Sequence, residues 1–67
     1  MVLLDRRIFQ AAVRLMEQHG DRAEHHATDR ADLATEEGDS EDAAIWRLVA
    51  TVIEELERER RPGEAIN

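Results

Sequence analysis

His25 lies one helical turn from two carboxylates, Asp21 four residues before it and Asp29 four residues after it. Residues four apart are neighbours on a helix surface. One imidazole with two carboxylates is a donor set that suits a divalent cation. The same trio also makes an ordinary solvated face with His–Asp hydrogen bonding. The solvated face is the expectation, with no metal and no cofactor. His26 points about 100° away from His25, so the two cannot share an ion. It falls beside Ala23, Ala27 and Arg30, where it can enter a helix interface as a hydrogen-bonded polar residue. His19 precedes a helix stop, where the helix dipole favours a cation.

Other clusters read the same way. Glu36, Glu37, Asp39, Glu41 and Asp42 crowd around Gly38. They lack the alternating ligands and distant glutamate of a calcium-binding loop. Carboxylates at the start of a helix are stabilised by its dipole, so capping explains them. Arg58, Arg60 and Arg61 are interleaved with Glu57 and Glu59, which suits a helix C-terminus better than a nucleic-acid tail. The chain has one serine, no cysteine and no glycine-rich phosphate loop. No nucleophile meets a base, and no enzyme is expected.

These residues sit in 67 residues, one small domain. A chain this short buries only about 60% of the surface it exposes when unfolded, so its core needs reinforcement. Without cysteine, neither a disulfide nor a thiolate zinc site supplies it. Oligomerisation is the remaining route. The net charge is −7 and all basic groups are arginine. That balance disfavours non-specific nucleic-acid binding. The start, MVLLDRRIF, reaches two arginines before any apolar run of signal length. The apolar run 43–53 is far shorter than the roughly 20 residues of a membrane span. These features predict a cytoplasmic protein without membrane contact.

Two Gly-Asp pairs divide the chain. Glycine tolerates the left-handed backbone that ends a helix, and aspartate caps the next one. Gly20-Asp21 is followed by Glu24 at capping-box spacing, and Gly38-Asp39 by Asp42. The prediction is an all-α fold, a small three-helix bundle with short loops at the two Gly-Asp pairs. The helices cover about 4–19, 21–37 and 40–60 within one domain, 1–61. Pro62-Gly63 stops the last helix, leaving 62–67 as a flexible tail. In the first helix Leu4, Ile8, Phe9, Ala12, Val13, Leu15 and Met16 recur at helical spacing. The second is apolar mainly through Ala23, Ala27, Ala31 and Ala34, one face of small residues that lets another helix approach closely. Its other face is densely charged, which places it at the periphery.

The third helix is the exception. Its stretch AAIWRLVATVI has only Arg47 and Thr51 as polar residues, and they share one narrow face with Glu54, Glu55 and Arg58. The apolar arc spans roughly 200°, where a surface helix needs a little over about 100°. The excess predicts self-association, a homodimer, or another protein partner. The interface candidates are those of Trp46, Val49, Val52, Ile53 and Leu56 that the first helix leaves uncovered, with Phe9. Trp46 is the lone tryptophan and serves as core centre or interface anchor.

Gln18-His19-Gly20, His26-Ala27, Arg30-Ala31-Asp32, Gly38-Asp39, Ala44 with Trp46, and Ile53-Glu54-Glu55-Leu56 resemble the pattern of a set of small, mainly alphaproteobacterial helical proteins of unknown function. The likeness covers roughly 13–56. That pattern often has a glycine near position 42, where this chain has Asp42, which bears on the turn and not on the helices. The resemblance implies a small helical domain and brings no activity or site residues.

The expected function is thus a non-enzymatic interaction module that self-associates through the third helix. The rival is an acidic regulator that mimics nucleic acid and blocks a basic protein surface through Asp29, Asp32, Glu36 and Glu37. A metal-dependent role through His25, Asp21 and Asp29 ranks last.

Overall fold

The computed structural model describes residues 6–59. The parts of the predicted first and third helices at 4–5 and 60, and the tail 62–67, lie outside the described residues. Within them the chain is all-α: α1 is Arg6–His19, α2 is Ala23–Glu36 and α3 is Ser40–Glu59, with no strand among the described residues.

The two Gly-Asp junctions fold differently. Gly38 adopts φ +82°, the left-handed region that glycine enters without penalty. Around it, the Asp39 N–H donates to the Ala34 carbonyl at 2.9 Å and the Gly38 N–H to the Thr35 carbonyl at 3.1 Å. This is the Schellman arrangement, which satisfies carbonyls that a helix end otherwise leaves without partners. The Asp39 side chain then accepts from the Asp42 N–H at 3.1 Å, and its carbonyl accepts from the Ala43 N–H at 3.0 Å. One residue ends α2 with its N–H and starts α3 with its carboxylate.

Gly20 is also left-handed, at φ +57°. The expected loop and cap do not form after it. Gly20–Arg22 make one turn of 3-10 helix, in which Asp21 lies, and α2 starts at Ala23 instead of Asp21. No side chain caps α2, so the Asp21–Glu24 capping box is not made. The Ala23 N–H donates to the Gly20 carbonyl, a backbone bond that replaces the side-chain cap. Helical backbone of one kind or another therefore runs from 6 to 36 without a break.

The core joins all three helices. Ile8, Ala12, Ala23, Ala27, Val49 and Ile53 form one buried cluster, with Leu15, Met16 and Trp46 packed against it. Ala23, Ala27, Ala31 and Ala34 are all buried, as their spacing on one face requires. Leu33, the one large apolar residue of α2, is exposed. No polar or charged side chain is buried among the described residues. α2 and α3 form the most extensive pair, held close by the alanine face and the short connection 37–39.

Candidate interaction face

α3 carries two rows of apolar residues, and only one is fully covered. Val49 and Ile53 are fully buried in the chain's own core. They are thus core side chains and not part of an open face. Trp46 is half-buried, and the Arg30 guanidinium lies over its ring, 5.1 Å from the centroid. A guanidinium over an indole face is a favourable cation–π geometry. It also ties α2 to α3. Val52 and Leu56 are half-buried, and Phe9 on α1 is exposed.

Ile45 and Leu48 remain 46% and 50% exposed. Neither is among the interface candidates that the apolar arc suggests. A finer spacing signal does mark them. Glu41, Ile45, Leu48, Val52, Glu55 and Glu59 recur in steps of four, three, four, three and four. That is the heptad spacing of a helix–helix seam. Three apolar residues occupy its middle and carboxylates its two ends. A wide apolar arc shows that cover is needed. It does not show which edge the neighbouring helices leave bare.

Beside this row a shallow groove of about 230 Å³ opens between α1 and α3. Ile8, Ala11, Ile45, Trp46 and Val49 form its floor and walls, with Arg7 and Asp42 lining it too. A second depression, about 340 Å³, lies on α1 alone, lined by Phe9, Gln10, Val13, Arg14 and Glu17.

The charged face of α2 assembles only in part. His25 Nε2 comes within 3.4 Å of Asp29 Oδ2, both side chains well exposed. Asp21 belongs to the 3-10 turn, where the helical register that would align it with His25 is broken. Among the described residues no group of three His, Cys, Asp or Glu side chains converges on a metal position. His26 meets His19 instead: the two rings stack with centroids 3.6 Å apart and planes 23° from parallel. Sequence spacing did not reveal that pairing, because it depends on how the 3-10 turn redirects the chain between them. Asp29, Asp32, Glu36 and Glu37 are all exposed. At the end of α3, Arg58 pairs with Glu54 at 3.3 Å and Glu55 at 3.8 Å.

No helix among the described residues is long and apolar enough to cross a membrane. Comparison with protein-family models, with curated proteins and with solved structures finds no match.

Proposed function

We propose that this chain is a non-enzymatic, cytoplasmic protein-interaction module, folded as a small three-helix bundle, that self-associates through the apolar face of α3. One observation carries the reading: Ile45 and Leu48 stand half exposed on a helix whose adjoining apolar row, Val49 and Ile53, is already buried. Exposed large apolar residues grouped in one seam are the mark of an interaction surface, whereas scattered ones are not.

The test is molar mass by size-exclusion chromatography with light scattering, from low micromolar to millimolar protein. The expected result is a dimer for the native chain and a monomer of unchanged helicity for Leu48→Glu. A native chain that stays monomeric over the whole range would end the proposal.

A further inference from the structure

The seam on α3 is a poor match for itself. Its ends are Glu41 on one side and Glu55 and Glu59 on the other, all exposed. If two α3 seams met in parallel, each carboxylate would face its own copy. If they met antiparallel, the Glu41 end would face the Glu55 and Glu59 end. Both arrangements set like charges along the seam, which costs stability.

α1 offers the complement. It is the one helix with more arginine than carboxylate: Arg6, Arg7 and Arg14 against Glu17. Arg6, Gln10 and Arg14 succeed one another at steps of four along its outward face, all three exposed. Beside them lie exposed Phe9 and half-buried Val13, the walls of the α1 depression. So α1 shows a base–apolar–base pattern, with the exposed Glu17 beyond Arg14 in the same depression, where α3 shows acid–apolar–acid.

Resting on the self-association proposed above, we infer that the occupant of the α3 seam is α1 of a second copy. The dimer is isologous: α3 of each protomer docks on α1 of the other, so every contact occurs twice. Ile45, Leu48 and Val52 cover Phe9 and Val13 of the partner copy. Arg6 and Arg14 answer the carboxylates at the seam ends. Electrostatic complementarity of this kind selects the partner face and suppresses the wrong pairing.

Charge reversal separates this arrangement from an α3–α3 pairing. Two double variants are compared by light scattering, Arg6→Glu with Arg14→Glu, and Glu55→Arg with Glu59→Arg. The second loses only the exposed Glu55–Arg58 pair and places cations near a helix C-terminus, where the dipole favours them, so the fold is kept. Each variant alone should weaken dimerisation by at least about tenfold. Mixed in equal amounts, they should form a heterodimer through the one α1–α3 contact that keeps native charges. Its other contact pairs reversed charges and is complementary at the Glu55 and Glu59 end, while Glu41 keeps its carboxylate, so recovery should be partial. Recovery on mixing also shows that both variants are folded. The inference is overturned if the Glu55→Arg, Glu59→Arg variant dimerises more tightly alone while the α1 variant behaves as the native chain. That result would assign the seam to α3 of the second copy and leave self-association standing. A native chain that never dimerises would remove self-association itself, and the inference with it.

Discussion

Gly20-Asp21 and Gly38-Asp39 are the same dipeptide with the same left-handed glycine, yet they build different junctions. At the second, the aspartate N–H closes α2 and its carboxylate opens α3. At the first, the chain slips into a 3-10 turn, and the aspartate caps nothing. The contrast shows that a glycine in the left-handed region ends a helix but does not decide how the next one begins. That depends on whether the adjoining aspartate becomes the residue just outside the new helix. Asp39 does. Asp21 lies two residues before α2 starts, with Arg22 at the boundary. The stacked His19 and His26 rings span the first junction from either side, a contact with no counterpart at the second among the described residues.

Substitutions at the glycines give the largest expected effects and the strongest challenge to the contrast. Nothing lies within 4 Å of a Cβ built on either glycine, so the cost of Gly→Ala is conformational alone. Gly20→Ala and Gly38→Ala should each lose about 1–2 kcal/mol in urea denaturation, equal within error. A marked inequality would mean that one junction is held by something other than its glycine. The aspartates should then separate the two. Asp39→Ala should cost about 1 kcal/mol, the usual loss for an N-cap. Asp21→Ala should stay within about 0.5 kcal/mol, as for a surface change. Equal losses at the two sites would erase the distinction between capped and uncapped junctions. The smallest effect belongs to the ring stack. A double-mutant cycle of His19→Ala and His26→Ala should return a coupling of about 0.5 kcal/mol, near the low end for stacked rings. A coupling of zero would leave the first junction resting on its 3-10 turn alone.

Much of the architecture was legible in the sequence because it arises from local rules. The helical periods, the alanine face of α2 and the Gly38-Asp39 stop and start depend on residues within one or two turns of each other. The candidate face was legible only in outline. The width of the apolar arc on α3 announced an uncovered edge. Which edge depended on where α1 and α2 settle, a tertiary outcome. Val49 and Ile53 therefore went inside, and Ile45 and Leu48 stayed out. The trio of His25, Asp21 and Asp29 does not converge among the described residues for a related reason: its alignment needs α2 to keep one register from Asp21 onward, and Asp21 lies in the 3-10 turn.

The alanine face of α2 has a consequence for alignment. Ala23, Ala27, Ala31 and Ala34 recur at close to one helical turn, and each contributes a single methyl group to the buried face. If α2 slid by one turn, it would exchange one methyl for the next. The interior therefore works like a ruler with identical marks and holds little memory of position. Position is recorded outside it, by Arg30 on Trp46, by the Arg47 contact to Thr35 at 3.4 Å, and by the short connection 37–39. In this protein the surface and the turn keep the count, and the core comes into line with them.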